Sequence, residues 1–198
     1  MITSHRSDQL YLIGVREQAV TEGCTRVTFF TTRRDLTAYT RLIPASRQAV
    51  ILLDPDTNDP EAHLEFDQFA KEIGRHGIGS IRLDYRFPGD RAQCAIDALL
   101  ACQYLDDEGI NDVLLVGWAF GAAVALAAGS VGRIVRGVAA IHPSHLPESC
   151  IHWIGRKPLL VMNDDRYSRA DLIDWIMSTL DSARPSREEP LQSLVAQH

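Results

Sequence analysis

Residues 113–128 read VLLVGWAFGAAVALAA, and this stretch decides the fold. A run of valine and leucine, Val113 to Val116, leads into Gly117-Trp118-Ala119-Phe120-Gly121, and an alanine-rich segment leaves that turn directly. The first half has the composition of a strand buried on both faces. The second half has that of a buried helix. Glycines at the first and fifth places of the turn let strand and helix approach at a sharp angle. The middle residue then sits at the tip, its side chain aimed into the cleft at the strand's C-terminal end. The uncharged run from Val113 to Val131 spans nineteen residues, close to the length of a membrane helix. Gly117, Gly121 and Gly129, with the change from β-branched to Ala-rich composition, argue for strand, turn and helix instead.

The rest of the chain repeats this alternation. Thr25–Thr31 and Asp35–Ile43 read as strands joined at Thr32, Arg33 and Arg34, and the pair is expected to form an antiparallel edge. Gln48–Leu53 is an apolar run typical of a central strand. Asn58 or Asp59 can cap a helix with Pro60 in its first turn. That helix carries Ala62, Phe66, Phe69, Ala70 and Ile73 on one face and stops near Gly74 or Gly77. Ser80–Tyr85 is the next strand. Asp90 opens a helix whose inward residues are expected to be Ala92, Ala95, Ile96, Leu99 and Leu100. Strands are expected at Asp112–Gly117, Arg136–Ile141 and Pro158–Met162. Ser168 caps a final helix with Leu172, Ile173, Ile176 and Leu180 inward. Strands alternating with helices imply an α/β architecture: a mostly parallel sheet with helices on both faces. The length favours one domain over residues 1–198, with 1–10 and about 184–198 as loose ends.

The turn resembles the nucleophile elbow, G-x-S-x-G, of the α/β-hydrolase fold. With RLDYRFPGD and the helix RAQCAIDALLACQYLDDEGI, it looks like the dienelactone-hydrolase-like branch, over roughly Thr25 to Asp165. Members of that branch are small serine or cysteine hydrolases of esters and lactones. The resemblance implies a nucleophile at position 119, an acid after the next-to-last strand and a His after the last one. Position 119 is Ala, whose methyl group cannot attack a carbonyl. Asp164 or Asp165 falls where the acid belongs, in an abbreviated loop. After Asp165 the only histidine is His198, and no apolar run between Tyr167 and His198 reads as a last strand. The sheet is therefore expected to be abbreviated at its C-terminal side. The loop Asp54-Pro55-Asp56-Thr57-Asn58-Asp59 stands where backbone N–H groups would hold an oxyanion. Pro55 has no N–H, and Asp54, Asp56 and Asp59 place negative charge there. Phe120 still offers one backbone donor.

Other features weigh less. His142, His145, Cys150 and His152 lie in IHPSHLPESCIH. Their spacing matches no zinc signature, so no metal site is expected, and His142 is an alternative base near the elbow. Cys94 and Cys102 are expected in the core. Arg33, Arg34 and Arg41 are expected to form a solvated basic edge. There is no GxxxxGK[ST] and no GxGxxG, so no nucleotide cofactor is expected. A net charge of −6 argues against a nucleic-acid partner. Four cysteines without CxxC spacing, and a polar start, MITSHRSDQL, suit a reducing, cytoplasmic setting.

Three departures at separate places favour a non-catalytic member, a pseudo-hydrolase that binds a small apolar ligand or a protein partner. Trp118, Ala119, Phe120, Asp54, Tyr85 and His142 would line its cleft. The alternative is a serine esterase or lactonase seen as a Ser-to-Ala or shortened form. A scaffold or assembly factor with a closed cleft is the third reading.

Overall fold

The computed structural model describes residues 10–53, 60–143, 152, 154–163 and 168–183. Eight strands, β1 (Leu12–Thr21), β2 (Cys24–Thr31), β3 (Leu36–Arg41), β4 (Gln48–Leu53), β5 (Gly79–Asp84), β6 (Asp112–Trp118), β7 (Val135–Ile141) and β8 (Leu159–Met162), form one sheet. Its order is β1-β2-β3-β5-β4-β6-β7-β8. The pairs from β5 through β4, β6 and β7 to β8 are parallel, and those from β1 through β3 to β5 are antiparallel. Among the described residues four helices, α1 (Pro60–Arg75), α2 (Arg91–Asp107), α3 (Phe120–Val131) and α4 (Arg169–Ser182), cover both faces.

Alternation along the strands divides the core in two. Ala49, Ile51 and Leu53 of β4 pack with α2 and α3, whereas Val50 and Leu52 pack with α1 and α4. All six residues of β4 are buried, as a strand covered on both sides requires. The caps form where the sequence places them. The Asp90 side chain accepts hydrogen bonds from the backbone N–H groups of Ala92 (3.0 Å) and Gln93 (3.1 Å). Ser168 and Asp171 form a reciprocal capping box at the start of α4. Pro60 is the first residue of α1; Asn58, Asp59 and the side chain of Ala62 lie outside the described residues.

Four expectations need correction. The sheet has a strand, β1, that sequence periodicity does not reveal. β1 pairs only with β2, and nearly all its residues are exposed. Strands β2 and β3 are therefore interior, and β1 is the edge. The basic residues are only partly a solvated edge: Arg33 and Arg34 are exposed, whereas Arg41 is not. Arg41 donates through Nε (3.0 Å) and Nη2 (2.6 Å) to Asp67 of α1, and Arg34 donates to the Arg86 carbonyl (2.7 Å). Finally, α2 presents a different face. Ile96 and Ala92 point to solvent and Leu99 and Leu100 are half-buried. The inward positions are taken by Cys94, Ala95, Asp97, Ala98, Ala101, Cys102, Tyr104 and Leu105. Small residues dominate that face because the helix lies close against the sheet.

One of those inward residues is charged. Arg86 and Asp97 are both buried with no exposed side-chain surface, and Arg86 Nε donates to Asp97 Oδ1 at 2.5 Å. The Arg86 backbone N–H donates to the other carboxylate oxygen (2.9 Å). The carboxylate thus ties the loop after β5 to α2. Asp97→Ala leaves the guanidinium buried and uncompensated, and should cost about 3–5 kcal/mol of unfolding free energy. Urea denaturation followed by circular dichroism measures it.

Candidate functional site

The elbow forms as its glycines require. A Cβ added at Gly117 would stand 2.1 Å from the Gly121 carbonyl oxygen, so only glycine allows the first turn of α3 to lie against β6. Gly129 repeats the close approach two turns later, where an added Cβ would meet Val138 of β7 at 2.4 Å. Between strand and helix, Ala119 is held at φ 48°, ψ −109°, a conformation rare for a residue with a side chain. Its N–H donates to the Ile141 carbonyl (2.9 Å), which fixes the tip to the neighbouring strand. Phe120 is the first residue of α3, where a backbone N–H has no acceptor within the helix. The tip therefore has the strained backbone of such a turn and carries a methyl group.

His142 mirrors this strain one strand away. β6 and β7 pair with Trp118 opposite Ile141, so Ala119 and His142 follow side by side. His142 has φ 44°, and its N–H donates to the Met162 carbonyl (2.7 Å). In an extended strand His142 would face away from Ile141. The left-handed backbone breaks that alternation, and Ile141 and His142 line one cavity.

That cavity, of about 300 Å³, lies at the C-terminal ends of β6, β7 and β8, on the α1 and α4 side. Phe66, Phe69, Trp118, Met162 and Leu172 give it an apolar wall, with Glu65 on α1 and Ser168 and Arg169 at the start of α4. Trp118 packs edge-to-face with Phe66 (4.9 Å between ring centres) and with Phe69 (5.9 Å). Tyr85 and Phe120 stand on the other side of the sheet, in edge-to-face contact at 6.4 Å. The six residues expected to share one cleft are thus divided. Trp118 and His142 meet in the cavity, Tyr85 and Phe120 meet over α2 and α3, and Ala119 lies between. Asp54 falls outside the described residues, as do Asp164, Asp165 and His198. His145 and Cys150 also lie outside them, so the histidine-rich loop cannot be assembled. Sequence reasoning missed Phe66, Phe69, Glu65 and Arg169 as cavity residues. The aromatic pair one turn apart on α1 signalled only a core face.

The cysteines of α2 pack as expected. Cys94 Sγ lies 3.4 Å from the Phe87 carbonyl, and burial pushes the Cys102 thiol up to about 12. A thiol so disfavoured as thiolate is no substitute nucleophile. Among the described residues no helix is long and apolar enough to cross a membrane; the uncharged run is divided between β6, the elbow and α3.

No protein-family model matches the chain, and no curated protein does. Solved structures do match. A zinc-bound cold-adapted esterase from an Arctic intertidal metagenomic library superposes with a TM-score of 0.62 at 12% identity, covering 83% of this chain and 98% of that one. The dienelactone hydrolase of Anabaena variabilis gives 0.60 at 12% identity, with 85% and 98% covered. A lidless α/β serine hydrolase of Xanthomonas campestris gives 0.54 at 15%, with 77% and 91% covered. The chain has the α/β-hydrolase fold, and these identities establish the fold alone.

The elbow makes its own prediction. Gly117→Ala should destabilise the protein by at least about 3 kcal/mol, because backbone rather than a flexible side chain must yield. Gly14→Ala, where nothing lies within 4 Å of the added carbon, should stay near neutral in the same denaturation measurement.

Proposed function

We propose that this chain descends from hydrolases of carboxylic esters and lactones, and that with Ala119 it binds a small, largely apolar ligand without turning it over. The observation that carries this reading is the elbow: strained, backed by two glycines, and tipped by a residue with no group to deprotonate. The cavity beside it, walled by Trp118, Phe66 and Phe69, supplies the place for the ligand. Length supports a single domain, and four cysteines without CxxC spacing support a reducing compartment.

A second reading is an active serine esterase or lactonase of which this is a Ser-to-Ala or shortened form. The intact elbow favours it, and so do the solved structures, which include an esterase, a serine hydrolase and a dienelactone hydrolase. The comparisons weigh more towards this reading than towards loss of activity. In such a form a serine hydroxyl at the elbow tip would attack the ester carbonyl while a base takes its proton. The bond to the alcohol would break, and water would then release the acid. His142 stands on the strand beside the tip; His198, oriented by Asp164 or Asp165, is the other candidate base. The Phe120 N–H would support the oxyanion.

Labelling by a fluorophosphonate separates the two. It depends on an activated serine, hence on a working base and oxyanion site. The first reading expects a folded Ala119→Ser protein that labels no faster than the chain as given. Rapid labelling of the serine form would overturn it and establish the second.

A further inference from the structure

We infer that the cavity beside Trp118 takes a small monocarboxylate with an apolar chain or ring, a proposal that rests on the ligand-binding reading above. The cavity is not the space over Ala119. Trp118 and the residue after Ile141 line it, while Ala119 does not. Its low volume, about 300 Å³, suits a ligand of few atoms.

The walls define the ligand's two ends. Phe66, Phe69, Trp118, Met162 and Leu172 offer an apolar seat with no hydrogen-bonding group except the Trp118 indole N–H. Among the described residues, Arg169 is the only permanent cation on the wall. Among the described residues its one acidic neighbour, Glu72, stands at 3.9 Å, and both side chains are well exposed, so the guanidinium keeps donors for a ligand. The Ser168 hydroxyl is already engaged, donating to Asp171 (2.8 Å) and accepting from the Asp171 N–H (3.3 Å), so Arg169 is left as the head-group anchor. His142 also lines the cavity, at a backbone held at φ 44°.

Glu65 limits the choice. It is exposed on α1, across the cavity from α4, and has no cationic partner among the described residues. A ligand negative at both ends would meet repulsion there, so a dicarboxylate is disfavoured relative to a monocarboxylate.

The test uses the intact chain and three probes of one length: hexanoate, hexanamide and adipate. Binding is read from the indole N–H signal of Trp118 in ¹H–¹⁵N spectra, identified by its loss in Trp118→Phe. Hexanoate should shift that signal saturably and bind about threefold to fivefold more tightly than hexanamide, the scale of one exposed ion pair. Arg169→Gln should level the two probes. Adipate should bind only weakly, and Glu65→Gln should bring it close to hexanoate. Equal binding of hexanoate and hexanamide would overturn the carboxylate assignment and leave the cavity as an apolar ligand site. If no probe moves the Trp118 signal, both the assignment and the cavity reading beneath it fall. Neither result alters the fluorophosphonate experiment, which reads position 119 alone.

Discussion

The contact between Gly117 and the Gly121 carbonyl governs the elbow end of this molecule. Because α3 starts against the strand that feeds it, the chain must reverse within one residue, and Ala119 absorbs the whole turn at φ 48°. The same geometry sends Trp118 to one face of the sheet and Phe120 to the other, where they join separate cores. Two aromatic environments, one beside a cavity and one packed around Tyr85, are the direct result. A strained residue of this kind costs about 1–3 kcal/mol and persists only where surrounding structure over-determines it. Here the determinants are backbone contacts, which do not depend on what side chain the tip carries. That is why the elbow keeps its form with alanine.

Away from the elbow, charge does the work of joining elements that lie far apart in the chain. Arg41 reaches Asp67 across from β3 to α1, and Lys71 reaches the same carboxylate at 2.7 Å. Burial alone would raise the Asp67 pKa, but its bonds with Lys71 and Arg41 hold the carboxyl below the usual range. Lys157 donates to the carbonyls of Gly129 (2.6 Å) and Gly132 (2.8 Å), satisfying acceptors left open at the end of α3. These links hold α1 and α3 against opposite faces of the same sheet, and so keep the two environments apart.

Much of this was legible in the sequence, and the exceptions share a cause. Asp90, Ser168, Pro60 and the paired glycines act through bonds to residues within four positions, so their effect can be read locally. So can β4, whose five apolar residues after Gln48 admit one interpretation. β1 could not be read this way. LIGVREQAVT contains a glycine and three polar or charged residues in its middle, and it is a strand only because β2 offers a ladder. Ile96 misled for the opposite reason: periodicity counts large residues, whereas α2 buries small ones and an ion pair. His142 belongs to a third kind. Nothing in IHPS announces the left-handed backbone at His142.

The long first strand has a consequence for how the protein fails. β1 draws its ladder from β2 alone, slips register twice, and leaves Tyr11, Leu12, Ile13, Val15 and Val20 in water. Its main tie to the body is the bond from the Tyr104 hydroxyl to Glu17 (2.9 Å). A solvent-exposed edge strand of this kind opens at less than the free energy of global unfolding. Detachment turns β2 into the edge and uncovers a row of backbone donors and acceptors beside Val27 and Phe29. A second chain's loosened β1 matches that row by construction, so strand exchange between copies is the aggregation hazard this edge carries.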